Sequence, residues 1–321
     1  MNRRSFAKHA VAATTAGALT AYPLTASAHM GHDHSQTGGK PFNLHYAPSF
    51  GKAKHHVGDR FEDQLQFMYD QGFRDWEDNR MMRRDVADQK RIAKKMEQLG
   101  MRMGVFVLYA DFQNPTFAGN RMADQRPSQR DKEGMKDMLR KQTLEGVEVA
   151  KRVNAKWMTV VPGTEDRSLD REYQFLNVVE HLKYMSEILE PHGLVMVLEP
   201  LNFINHPGCF LERVQDAYAV CKAVNSPSCK ILNDLYHQQI SVGNLIRNME
   251  ACWDETAYIQ VGDNPGRKEP TTGEINYKNI FRRLYELEFD GIVGMEHGTQ
   301  GQGKAGEARL IQAYREVDAF L

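Results

Sequence analysis

The sequence predicts a single (β/α)₈ barrel of the α/β class. Three observations predict it. Eight short runs rich in β-forming residues recur along the chain, each followed by a longer stretch with apolar residues at helical spacing. No composition break divides residues 41–321, so the alternation reads as one domain. The first run is not followed by a G-x-G-x-x-G turn, the phosphate-binding feature of an open doubly wound sheet.

The predicted strands, in order, are Phe42–Tyr46, Gly72–Trp76, Met103–Tyr109, Trp157–Val161, Leu194–Leu198, Lys230–Asn233, Ala257–Val261 and Gly291–Glu296. Helical patterns cover Phe61–Gln71, Asp85–Leu99, Arg130–Val153, Glu172–Glu190, Val214–Val224, Tyr277–Leu287 and Glu307–Phe320, with a weaker one at Gly243–Cys252. Gly100 and Gly193 stand where helix C-caps belong.

The first 28 residues read separately. Arg3-Arg4-Ser5-Phe6-Ala7-Lys8, an uncharged Ala/Thr-rich stretch and Ala26-Ser27-Ala28 form the three-part layout of an export signal. The paired arginines point to the twin-arginine machinery and a periplasmic or otherwise exported destination. The apolar part, with Gly17 and Pro23, is too short and mild for a stable membrane span. Residues 29–40, with His29, His32 and His34, read as a flexible polar linker.

The formal net charge of −1 supplies no field that would steer the protein to nucleic acid or anionic lipid. Mixed runs such as Arg80–Asp85 read as solvated helix face. Cys209, Cys221, Cys229 and Cys252 contain no C-x-x-C pair, which argues against a zinc knuckle and reads as buried thiols. A homo-oligomer is compatible with the sequence, which does not specify one.

In such barrels the chemistry gathers at the carboxyl ends of the strands. Four consecutive predicted strands close on oxygen-bearing side chains: Glu199, Asp234, Gln260 and Glu296. Three carboxylates and an amide carbonyl suit one hard divalent cation, Mg²⁺ or Mn²⁺ first and Co²⁺ next. Without a cation, three converging negative charges would repel strongly in a low-dielectric site. After the seventh strand comes a long turn-rich loop, Asp263 to Tyr277, that carries Arg267, a fork suited to a carboxylate or paired hydroxyls. His45, Trp76, Glu77, Glu165, Asp166, Asn202, His206 and His297 also fall near predicted strand ends and are weaker candidates.

These motifs resemble a known family. Glu199-Pro200, Asp234-Leu235-Tyr236-His237, Gln260-Val261-Gly262-Asp263 and Pro265-Gly266-Arg267-x-Glu269-Pro270-x-Thr272-Gly273-Glu274-Ile275-Asn276-Tyr277 are similar to the hydroxypyruvate isomerases, within the xylose isomerase-like barrels. The resemblance is strong from Leu194 to Glu296 and thin before the fourth strand. It implies that Glu199, Asp234, Gln260 and Glu296 hold the metal, that Glu199 and Glu296 form the acid–base pair, and that His237 and Arg267 contact substrate. The expected chemistry is isomerisation or epimerisation of a small sugar or keto acid through an enediolate. The metal would act as Lewis acid while one glutamate removes a carbon-bound proton and the other returns it.

Three other readings compete. An exported lyase or dehydratase on modified sugars such as 3-keto-glycosides would use the same enediolate to expel a leaving group. A non-catalytic periplasmic binding protein for a sugar acid would not need both glutamates. A multi-zinc barrel nuclease would need many histidine ligands, whereas these strand ends are rich in carboxylates.

Overall fold

The computed structural model describes residues 39–119 and 134–321. The twin-arginine pattern, the Ala26-Ser27-Ala28 site and the linker histidines lie outside the described residues, as does the predicted helix start at 130.

The strands are β1 (Tyr46–Ala47), β2 (Asp75–Trp76), β3 (Arg102–Met103), β4 (Phe106–Asp111), β5 (Trp157–Pro162), β6 (Val195–Leu198), β7 (Cys229–Asp234), β8 (Thr256–Gln260) and β9 (Val293–Gly294). All pairings are parallel. Seven strands form one sheet in the order β1-β9-β8-β7-β6-β5-β4, and β2-β3 form a second. Backbone bonds from Glu77 N to Pro48 O (3.0 Å) and from Gly104 N to Trp76 O (2.6 Å) bring β2 between β1 and β3. The result is a TIM barrel.

Ten helices of the described residues accompany the strands: α1 (Lys54–Val57), α2 (Phe61–Asp70), α3 (Val86–Leu99), α4 (Gly134–Val153), α5 (Arg171–Leu189), α6 (Val214–Val224), α7 (Leu235–Ser241), α8 (Leu245–Ala251), α9 (Tyr277–Glu286) and α10 (Gly303–Asp318). Their local causes are legible. The Asp85 side chain accepts from Asp88 N and starts α3, and Gly100 ends it in the left-handed region at φ 65°. In α9, Tyr277, Ile280, Phe281 and Leu284 make one buried stripe at spacings of three and four. No helix among the described residues is long and apolar enough to cross a membrane.

The structure corrects three predicted strands. The third position is two strands, because the chain breaks at Gly104-Val105. A Cβ on Gly104 would lie 2.3 Å from the Tyr258 hydroxyl. The first strand starts at Tyr46, not Phe42. Asn43 N instead binds the Asp318 carboxylate at 2.8 Å, and Phe42 packs on Phe73 with ring centroids 4.7 Å apart. Residues 72–74 close helix α2: Gly72 has φ 97° and donates to Tyr69 O. Helices α1 and α7 have no counterpart in the predicted set. All four cysteines are buried free thiols.

Candidate active site

Strand β7 ends at Asp234 and runs straight into α7. The Asp234 carboxylate does two things at once. Its Oδ1 caps the helix by accepting Tyr236 N at 2.8 Å, and its Oδ2 faces the Arg267 guanidinium at 3.1 Å. Helical spacing then carries His237 onto the same side, with Nε2 at 3.5 Å from Asp234 Oδ2 and 3.8 Å from Glu199 Oε1. Glu199, Asp234 and His237 are all buried, with one donor atom of each within 4.8 Å of the others. In the sheet Asp234 stands in register with Gln260, and Gln260 with Gly294.

Glu296 joins this group through Arg267. The Arg267 Nη2 donates to Glu296 Oε2 at 3.0 Å as well as to Asp234, and Asn79 Nδ2 donates to Glu296 Oε1 at 2.8 Å. The guanidinium also lies 4.9 Å from the centre of the Tyr236 ring. Burial opposes the charge of Arg267, but Asp234, Glu296 and Glu199 outweigh it and raise its pKa. Burial pushes the Glu199 carboxyl well above the usual carboxylate range, and Glu296 and Asp234 add to the shift. The Glu296 carboxyl is also raised, by burial against the opposing pull of Arg267.

The loop after β8 is built around Asp263. Its Oδ1 accepts Asn264 N and Ile275 N at 3.0 and 3.1 Å, and its Oδ2 accepts Thr272 N and Gly273 N at 3.1 and 2.8 Å. Gly273 is required, since a Cβ there would sit 1.9 Å from Asn264 O. The turn is closed by Arg267 N donating to Asp263 O and Gly298 N to Arg267 O, which aims the guanidinium inward from a backbone at φ 48°.

His237 is a neutral donor. Burial lowers its pKa to about 4. Its Nδ1 lies 3.1 Å from the backbone N–H of Asn202 and must accept, so the ring proton sits on Nε2 and points at the carboxylates. That tautomer disfavours His237 as a metal ligand through Nε2. Gln260 has the opposite character. Its Nε2 donates to Glu77 Oε1 at 3.1 Å, while its Oε1 is buried with no hydrogen-bond partner. A buried, unmatched carbonyl oxygen on the residue in register with Asp234 fits a hard divalent cation.

The other candidates separate clearly. His45 precedes β1, at the amino-terminal end of the barrel, where it binds the buried Asp75 at 3.0 Å; it is remote from the site by topology, a correction to its predicted place after the strand. Trp76 is fully buried core against Phe50. Glu165 pairs with Arg171 at the exposed rim, and Asp166 caps Ser168. Asn202 holds the His237 ring, and His206 lies 5.5 Å from that ring, its pKa lowered by burial and by Arg267. His297 binds Gly298 O and the Tyr314 hydroxyl, a packing role. Glu77 is buried and helps line the cavity beside Glu296, in keeping with its predicted place at the pocket floor. Asn79 and Lys52 are absent from the predicted site residues, and Asp263 enters there only as part of the loop motif. Lys52 is buried and donates to His297 O at 2.6 Å, and burial lowers its pKa to about 8. Beside Glu296 and Arg267 a cavity of about 700 Å³ opens, lined also by Lys52, Asn79 and Arg80.

A family model described as xylose isomerase-like TIM barrel matches residues 65–317. The chain belongs to this family. It is 29% identical over 182 residues to a hydroxypyruvate isomerase of Escherichia coli K12, covering 57% of this chain and 70% of the relative. It is 31% identical over 147 residues to a 2-oxo-tetronate isomerase of Cupriavidus necator, covering 46% and 55%. The alignments therefore span between about half and 70% of those relatives' lengths. A Brucella melitensis structure described as an AP endonuclease of family 2 superposes with TM-score 0.66 at 25% identity, over 84% of this chain and 98% of that one.

Proposed function

We propose that this family member is a divalent-metal-dependent isomerase or epimerase of a small α-hydroxy-carbonyl substrate, a sugar or keto acid. Its kinship with isomerases supports the reaction class. The observation that carries the reading is the buried cluster of Glu199, Asp234 and His237, with Gln260 in register beside Asp234 and Glu296 tied to Asp234 through Arg267. Glu199, Asp234, Gln260 and Glu296 would hold the ion. When bound, it supplies Lewis acidity at the substrate's oxygens.

The chain's own groups supply the rest. Burial raises the Glu296 carboxyl to about 7, where it can hold or release a proton near neutrality, and also raises the Glu199 carboxyl. One of Glu199 and Glu296 takes the carbon-bound proton, leaving an enediolate. The other returns a proton, to the neighbouring carbon for isomerisation or to the opposite face of the same carbon for epimerisation. The Nε2–H of His237 donates to the oxygen on which negative charge grows. Arg267 orients the substrate and offsets that charge.

Two measurements test this reading together: calorimetry with Mn²⁺, and turnover of hydroxypyruvate, 2-oxo-tetronate and ketohexoses before and after chelation. One-site binding and chelator-sensitive turnover are expected. Turnover untouched by complete metal removal would refute the reading. We further propose export by the twin-arginine route, supported by Arg3-Arg4 and Ala26-Ser27-Ala28. Replacing both arginines with Lys should retain the protein in the cytoplasm on fractionation; unchanged export would refute that route.

A further inference from the structure

The interior of a barrel is normally filled by apolar side chains in layers. Here a carboxylate intrudes. Glu77, just past β2 and 2% exposed, lies against β8 and β9. Its Oε2 accepts the Tyr258 hydroxyl at 2.9 Å, and its Oε1 accepts Gln260 Nε2 at 3.1 Å. Space for it comes from Gly294: a Cβ there would lie 1.9 Å from Glu77 Oε2. Gly294 does not need a glycine's backbone, because its φ is not positive; the absent side chain admits the carboxylate, and a Cβ would also come within 3.1 Å of Gln260 Cγ.

The consequence concerns Gln260. A primary amide is nearly symmetric in shape, and packing alone does not choose which end faces which way. Glu77 makes the choice. Glu77 accepts from both the Tyr258 hydroxyl and the NH₂ end of Gln260, so the carbonyl end is turned away, where it is buried and unpartnered. The geometry points to Glu77, admitted by Gly294, as the positioning residue that fixes the Gln260 carbonyl oxygen as a metal-facing acceptor. This rests on the metal reading above and adds to it a residue that acts on the ion through Gln260.

The test uses Mn²⁺ calorimetry and thermal unfolding on the full chain. Partners behind a metal ligand typically contribute about 10–100-fold in affinity. Glu77→Ala should therefore weaken Mn²⁺ binding by about that factor. Glu77→Gln, which can still accept from Gln260 Nε2 through its amide oxygen, should restore most of it. Gly294→Ala should weaken binding in the same direction by displacing the carboxylate. In a Gln260→Ala background, Glu77→Ala should cause no further loss, because the residue through which it acts is gone. Glu77→Ala binding Mn²⁺ like the parent would overturn the assignment, and so would an equal loss in both backgrounds, which marks general structural damage. If Glu77→Ala does not fold, Gly294→Ala and Glu77→Gln carry the same comparison. A parent protein that binds no Mn²⁺ would remove the metal reading itself, and this assignment with it.

Discussion

Asp263→Asn isolates the device that aims Arg267. The substitution preserves shape but turns one carboxylate oxygen into an NH₂. One pair of backbone donors, Asn264 N and Ile275 N or else Thr272 N and Gly273 N, then faces another donor. Asp263 is 1% exposed, so water cannot compensate freely. Each buried donor left unmatched costs about 1–3 kcal/mol, which gives roughly 2–4 kcal/mol for a pair once partial relaxation is allowed. For a domain of this size that is a fall in Tm of about 3–7 °C. The loop also carries Arg267, so kcat/KM should drop by more than stability alone explains. Thermal unfolding and steady-state kinetics on the same preparation read both effects. A Tm within about 1 °C of the parent, a shift expected of a surface change, would refute the reasoning that this carboxylate organises the loop.

Three further outcomes follow from the site and the core. His237→Phe should lower kcat by about 10²–10³-fold, the range for a lost oxyanion donor, while Mn²⁺ affinity stays near the parental value; a large loss of Mn²⁺ binding would show that the ring is a ligand after all. Arg267→Met removes a positive charge held by Asp234 and Glu296, so calorimetry should find Mn²⁺ bound about tenfold more tightly, while kcat/KM falls; weaker metal binding would contradict the view that the guanidinium competes for those oxygens. His181 is buried against Phe117, and burial lowers its pKa from 6.5 to about 4. Its folded pKa lies below the unfolded one, so the neutral ring's stability is complete above pH 6.5 and is lost as pH falls from 6.5 towards 4, up to about 3 kcal/mol. His181→Leu should flatten the stability curve in that window, and a slope equal to the parent's would contradict the linkage.

The legible parts of this molecule were those written locally. Alternating periodicities predict the barrel, and strand-end oxygens single out Glu199, Asp234 and Gln260, which fall at or one residue past the ends of β6, β7 and β8. The loop motif pointed to Arg267, and the structure shows why Gly273 belongs in it. What could not be read depends on distant partners. Nothing local says that Phe42 and Asn43 answer to Phe73 and Asp318 instead of to a sheet. Helix α7 was hidden because Asp234 reads as a strand end, although an Asp followed by Leu-Tyr-His is also a capped helix start. The state of the His237 ring depends on an Asn202 amide 35 residues away, and the place of Glu77 on a glycine in the last strand. Asn79, two residues past Glu77, could have been found by scanning the whole loop after the second strand for polar groups. Lys52 carried no such signal.

The central claim is that Glu199 and Glu296 move the substrate's carbon-bound proton. Deuterium incorporation from D₂O into a turned-over substrate, followed by NMR for the parent, Glu199→Gln and Glu296→Gln with metal supplied, tests it most directly. The account predicts exchange in the parent and loss of at least about 10²-fold in Glu296→Gln and in Glu199→Gln, as expected for removal of a proton-transfer group. Exchange at the parental rate in either metal-loaded variant would contradict it.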